Sequence, residues 1–166
     1  RTIVFMTVSG EEKGLWGSEY YGDNPIYSLE KTTVNLNTDM VGRIDPSYKG
    51  DSLNYVFVIG EDKLSSDLLK ITDSINTHFK MELDRRYNDP KDPNRFYYRS
   101  DHYNFAKNGI PSVFLFNGVH ADYHKATDEV DKIEFDALAK RTQLGFAIAW
   151  ELANKENRPV VDKSGN

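Results

Sequence analysis

The chain has 166 residues, enough for one domain with a sizeable core. Its 39% hydrophobic and 28% charged content is that of a globular protein, and a formal net charge of −5 argues against nucleic acid as a partner. No apolar run is long enough to span a membrane, and the absence of cysteine excludes disulfides, thiolate metal sites and a cysteine nucleophile. Arg1 stands directly before an apolar run, with neither an initiator Met nor a signal peptide, so the sequence reads as a piece of a longer polypeptide.

Thr2 to Val8 has the length and β-branched content of a buried strand. It is apolar on both faces, which predicts a central place in a sheet. Ser9-Gly10-Glu11-Glu12-Lys13-Gly14-Leu15-Trp16-Gly17-Ser18 then forms a turn, where Gly10, Gly14 and Gly17 allow close backbone approach. A short amphipathic helix follows through Glu19, Tyr20 and Tyr21 and stops at the breaker cluster Gly22-Asp23-Asn24-Pro25. Lys31 to Asp39 alternates with period two and predicts a strand that ends at Asp39. A polar loop from Asp45 to Asn54 leads to a second buried strand, Tyr55 to Ile59. Leu64, Leu68, Ile71, Ile75 and Phe79 recur at helical spacing, predicting a helix over 65–80 with a packing face; His78 lies on it as a surface or packing residue.

Arg85 to Tyr98 is polar, contains Pro90 and Pro93, and is long for a connection; such loops are often lids or mobile segments. Ser100 to Phe105 predicts a short helix with Ser100 as its N-cap, ended by Gly109-Ile110-Pro111. Ser112 to Phe116 is a buried strand, and Asn117 to Val130 a loop rich in His, Asp and Tyr. Phe135, Leu138, Ala139, Leu144, Ala147, Ile148 and Leu152 mark a final helix to Asn154, and a polar tail, 155–166, is expected to fray. Strands alternate with helices, so the class is α/β with a largely parallel sheet flanked by helices, carried by residues 1–154.

Three strands end in ligand-type loops: Glu11-Glu12, Asp39, and the His-rich loop after Phe116. In a parallel sheet these converge on one edge, where α/β sites form. Glu12, Asp39 and one loop histidine, His120 or His124, make an oxygen-plus-nitrogen set suited to zinc. Glu11, beside a ligand, is placed to act as general base. His102, at a helix start, more commonly makes a structural hydrogen bond.

At this point the chain resembles the zinc-dependent aminopeptidases with two co-catalytic metals, a group that also contains glutamate-carboxypeptidase-like enzymes and glutaminyl cyclases. The matching pieces are Ser9-Gly10-Glu11-Glu12 with Gly14 and Gly17-Ser18, Asn37 to Gly42, Ser100-Asp101-His102 with Phe105, Gly109-Ile110-Pro111, and Tyr123-His124 followed by Thr127-Asp128. Each motif alone is weak; the ordered set, over nearly the whole chain, is specific.

The resemblance implies the phosphorylase/hydrolase-like fold of zinc exopeptidases, with its N-terminal strands missing. It implies Glu11 as general base, Glu12 and His124 as ligands of one zinc, Asp39 as ligand of the other, and Tyr123 as stabiliser of the oxyanion. Asp128 is a candidate to orient the His124 imidazole, or equally a helix N-terminal acid. Asp101, Arg99 and Tyr98 are further candidates around the site or substrate, and no family role matches His120 or Asp122. In the family, a His and a metal-bridging Asp lie upstream of the Glu-Glu strand. The resemblance therefore implies two zincs per complete site in the parent, at most partial occupancy here, and an isolated chain that is inactive without the missing segment from the same protein or another copy. The expected substrate is a peptide with a free N-terminus, and the expected location secreted or periplasmic. The alternatives are a single-zinc glutaminyl cyclase-like acyltransferase, using Glu12, His124 and an upstream Asp, and a non-catalytic binding module of the same fold.

Overall fold

A computed structural model describes residues 1–165. In chain order the elements are α1 (Trp16–Asp23), β1 (Asn35–Thr38), β2 (Tyr55–Ile59), α2 (Glu61–Leu64), α3 (Ser66–Phe79), β3 (Glu82–Asp84), α4 (His102–Ala106), β4 (Ser112–Phe116) and α5 (Phe135–Asn154). The four strands form one open sheet in the order β1-β4-β2-β3. β1 runs parallel to β4 and β2 parallel to β3, but the central pair, β2 and β4, is antiparallel. Two of the three pairings are parallel, in keeping with the largely parallel sheet expected; the antiparallel pair at the centre is what the strand-helix pattern did not foretell. Alternating strands and helices predict βαβ units, and β2-α3-β3 is one. Three helices, a strand and a long loop separate β2 from β4, and over that distance the pattern carries no information about the direction of return.

The two central strands are buried on both faces, which is why they read as unbroken apolar runs. Side chains alternate between two different cores. Tyr55, Phe57, Ile59, Phe114 and Phe116 enter an aromatic cluster with Tyr48, Phe96 and Tyr97. Val56, Val58, Val113 and Leu115 enter an aliphatic one with Leu68 and Ile71 of α3 and Leu144, Ile148 and Leu152 of α5. The helices thus cover one face, while the other is covered by the 85–99 loop and α4. That long loop is built into the core: Phe96 and Tyr97 are buried, and Asn88 Oδ1 accepts a hydrogen bond from the Gly60 N–H at 2.8 Å.

The first apolar run departs from expectation. Among the described residues Thr2 to Val8 pairs with no strand, and Ile3, Val4 and Phe5 are 43%, 51% and 91% exposed. β-propensity reflects fit to a pleated, half-buried surface, and a ladder still needs a neighbour. The run is anchored instead by the Arg1 guanidinium, which donates to the carbonyls of Leu152 (2.8 Å) and Glu156 (2.9 Å), at and just past the C-terminus of α5. At its other end Gly17 closes the turn: its N–H reaches the Ser9 carbonyl at 2.8 Å, and a Cβ there would lie 2.6 Å from the Ser9 nitrogen.

The tail also differs from expectation. Asp162 Oδ1 accepts from the Ser66 N–H at 2.8 Å at the start of α3, and the N–H groups of Lys163 and Gly165 reach the carbonyls of Leu64 and Lys63. Arg158 holds the carbonyls of Glu30 and Lys31. Composition marked these residues as polar, and their polar groups are what dock them.

Candidate active site

Glu11 and Glu12 sit in a single 3-10 turn, Glu11–Lys13, flanked by Gly10 and Gly14 in the left-handed region at φ 71° and 113°. Asp39 directly follows β1, where its N–H continues the ladder to the Leu115 carbonyl at 3.2 Å. Met40 then turns the chain away at φ 56°. Because β1 and β4 are parallel, the residues after Thr38 and after Phe116 leave the sheet at the same edge. The loop after β4 brings Tyr123 and His124 there. One cleft is lined by Glu11, Glu12, Asp39 and Tyr123, with Met40, Phe96, Phe114, Phe116, Val119 and Arg99.

His124 Nε2 lies 2.7 Å from Glu12 Oε1. The two residues expected to share one zinc are in contact, 112 positions apart in the chain. Tyr123 stacks on the His124 ring at 3.8 Å between centroids. His124 itself is at φ 57°, a conformation that costs a non-glycine residue about 1–3 kcal/mol and has to be imposed by its surroundings. Ion pairs fix the loop that carries it. Arg43, four residues beyond Asp39, donates Nη2 to Asp122 Oδ2 at 2.6 Å and Nη1 to Asp128. Asp122 Oδ1 also accepts from Lys132 Nζ at 2.8 Å and Thr127 Oγ1 at 2.7 Å. The loops after β1 and β4 are thereby clamped together.

The carboxylates crowd one another. Burial, followed by the charges of Asp39, Glu12 and Asp101, pushes the Glu11 carboxyl up to about 7. Burial also raises Asp39, opposed by a hydrogen bond from Ser100 and reinforced by Asp101 and Glu12. Asp101 Oδ1 is buried without a partner among the described residues. Burial raises the Tyr123 phenol, and the Arg99 charge pulls it back. Such a cluster calls for a cation. Among the described residues no three His, Asp or Glu side chains stand in metal-holding geometry.

Several candidates lie elsewhere. Asp128 faces Arg43 and His120, whose Nε2 is 3.6 Å away, so its carboxyl does not orient the His124 ring. Tyr98 is 41% exposed and outside the cleft lining, packed against Tyr103. His102 is fully buried, stacked on Phe114 at 4.6 Å, and among the described residues neither ring nitrogen has a partner of normal hydrogen-bond geometry, contrary to the structural hydrogen bond expected for it. Burial pushes its pKa down to about 3, offset in small part by the nearby Tyr97 backbone. The folded state therefore keeps His102 neutral where the unfolded chain protonates it, near pH 6.5. Stability is expected to fall as pH drops from about 6.5 towards 3, by up to about 1.4 kcal/mol per pH unit from this residue. Denaturant melts of His102→Phe against the parent at pH 7.5, 6 and 5 check this; an acid slope unchanged in the variant would show that His102 is not the source.

A family model, "Peptidase family M28", matches residues 1–149. The chain belongs to peptidase family M28. Among curated relatives, the "Probable leucine aminopeptidase" of Arthroderma benhamiae is 28% identical over 158 residues, 92% of this chain. The M28 chain spans 39% of that protein's length. A zinc aminopeptidase of Bacillus subtilis superposes with a TM-score of 0.66 at 22% identity, over 95% of this chain and 38% of the other. A glutaminyl cyclase of Porphyromonas gingivalis gives a TM-score of 0.60 at 18% identity, over 89% and 52%. These two likenesses establish a shared fold.

Sequence reasoning gave no site role to Ser100, Asn37 or Arg43 of this M28 chain. Ser100 does not cap α4; Asp101 occupies the capping position, without a side-chain cap bond. The Ser100 hydroxyl donates to Asp39 Oδ2 at 2.9 Å and accepts from Asn37 Nδ2 at 2.8 Å. Period two puts Asn37 and Asp39 on the same side of the strand, which was the available signal. Arg43 had none, because its partners are far away in sequence.

Proposed function

We propose that the protein is a zinc-dependent aminopeptidase that releases N-terminal residues from peptides. The observation that carries this reading is the Glu12–His124 contact at 2.7 Å in the cleft shared by Glu11, Asp39 and Tyr123. The donors fit zinc by chemistry: carboxylate and imidazole, set in a cluster whose Glu11 and Asp39 carboxyls are raised first by burial and then by the acids beside them. Glu12 and His124 would hold one ion and Asp39 a second, with Ser100 fixing the Asp39 carboxylate. Catalytic zinc takes about three protein ligands, so in this reading further ligands complete both positions. When bound, zinc polarises the scissile carbonyl and lowers the pKa of water.

The chain's own residues supply the rest. Glu11 takes the proton of the attacking water and returns it to the leaving amine, a role suited to a carboxyl near neutrality. The Tyr123 hydroxyl, kept protonated by burial, donates to the developing oxyanion. The Asn37-Ser100 hydrogen bonds keep Asp39 oriented. Metal analysis together with hydrolysis of leucine p-nitroanilide by the full-length protein tests the reading. Zinc and turnover, both removed by a chelator and restored by zinc, are expected; a metal-free protein that still cleaves would overturn it.

The glutaminyl cyclase likeness supports a second reading, acyl transfer with one zinc. A peptide with N-terminal glutamine separates the two, since a cyclase releases ammonia from it and cleaves no peptide bond. A binding module of the same fold would turn over neither substrate.

A further inference from the structure

The cleft that holds Glu11, Glu12, Asp39 and Tyr123 has one basic side chain in its lining, Arg99. Arg99 directly precedes Ser100, the residue that fixes Asp39. Its guanidinium carbon lies 5.1 Å from the ring centre of Phe96, which is itself part of the cleft wall. Stacking on an aromatic face holds the planar fork in place and leaves its N–H edge open. The chain does little with that edge: its hydrogen bond among the described residues is a long one, from Nη1 to the Asn94 carbonyl at 3.4 Å. Arg43, Arg85 and Arg86 each pair with a carboxylate, whereas among the described residues none pairs with Arg99. Neighbouring Arg95 stacks on Tyr98, outside the cleft.

A held, unpaired guanidinium is complementary to a planar carboxylate, which it binds through two parallel N–H···O bonds. Its surroundings favour a carboxylate carried on methylenes, because Met40, Phe114, Phe116 and Val119 line the same cleft. The other charged side chains lining the cleft are the acids Glu11, Glu12 and Asp39, so among its side chains Arg99 alone offers a carboxylate a positive partner. We propose that Arg99 is a receptor for a substrate carboxylate, selecting peptides that carry one a short distance from the bond being cut. This rests on the aminopeptidase reading above. Two sources present the same planar anion: the side chain of an acidic first residue, and the free C-terminus of a dipeptide.

The test uses the full-length, zinc-loaded protein and two substrate pairs. In each pair the members differ only in carboxylate against amide: glutamyl against glutaminyl p-nitroanilide, and leucyl-glycine against leucyl-glycinamide. Arg99→Gln is expected to lower the acid-to-amide ratio of kcat/KM by about 10–100-fold in one pair, mainly through KM, and Arg99→Lys to recover part of it. Collapse of the first pair assigns the carboxylate to the first side chain, and collapse of the second to the C-terminus. Ratios unchanged within about twofold in both pairs overturn the proposal. The same peptides are titrated calorimetrically against the zinc-loaded Glu11→Gln protein. An Arg99-dependent preference for the acid in binding, with no cleavage of any peptide by the parent, keeps the receptor and removes the aminopeptidase reading. Cleavage of leucyl-glycinamide without acid preference in either assay does the reverse. Neither binding nor cleavage removes both.

Discussion

Glu11→Gln in the full-length protein is expected to keep its zinc and to lose about 10²–10⁴-fold in turnover, the usual consequence of removing a general base. Glutamine preserves the size and the hydrogen-bonding reach of Glu11 but cannot accept the proton of the attacking water. The site geometry separates the two adjacent acids. Glu12 is the one in contact with His124, at 2.7 Å, and Glu11 is the one whose carboxyl is raised to about 7 by burial and by its acidic neighbours. Glu12→Gln is accordingly expected to lose zinc first, with turnover following metal content. Inductively coupled plasma measurement of bound zinc, alongside initial rates on a neutral aminoacyl anilide, checks both variants. If Glu11→Gln came out stripped of zinc and Glu12→Gln loaded, the two roles would be exchanged.

The largest effect on stability is expected at Arg141. It is fully buried on α5, on the stripe formed by Ala137, Leu144, Ile148 and Leu152. Its Nε donates to the Tyr55 carbonyl at 3.1 Å, Nη1 to the carbonyls of Val41 at 2.8 Å and Arg43 at 3.0 Å, and Nη2 to that of Ser52 at 3.4 Å. Its guanidinium carbon also sits 5.1 Å from the Tyr55 ring centre. Burial pushes its pKa down to about 10, which leaves it charged at neutral pH. Arg141→Met keeps the apolar stem and strands these carbonyls without their donor, each a loss of about 1–3 kcal/mol where no water reaches it. Relief from burying a charge offsets part of that. The expected net loss is about 3–5 kcal/mol, read as a lower denaturant midpoint at unchanged slope. Arg141→Lys should recover less than half, because one ammonium cannot span carbonyls that a planar fork reaches in three directions. A change below about 1 kcal/mol in Arg141→Met would show that water replaces the guanidinium. The effect should also reach the site, since Val41 and Arg43 lie just beyond Asp39 and the Arg43 side chain clamps the His124 loop.

Arg141 also shows what a pattern leaves out. Its position, four residues after Ala137 and three before Leu144, put it on the buried face of α5, yet period alone treats a charged residue there as an exception. Only its partners explain it, and they come from β2 and from the loops on either side of residues 44–51.

The same division runs through the molecule. Sequence alone determined what local physics controls: the two unbroken apolar runs that became β2 and β4, the helical stripe of α3, the end of α5 at Asn154, and the acids and imidazole at strand ends and in a glycine-bounded turn. Side-chain period, glycine and chain direction suffice for those. Tertiary structure decided whatever depends on a distant neighbour. It left Thr2 to Val8 unpaired, because β-branched composition does not supply a ladder partner. It made the central strand pair antiparallel, and it turned Ser100 from an expected cap into a hydrogen-bond donor to Asp39. It also brought His124, which the resemblance had already paired with Glu12, to a carboxylate 112 positions away, in a loop that Arg43, Asp122 and Lys132 tie to the one after β1.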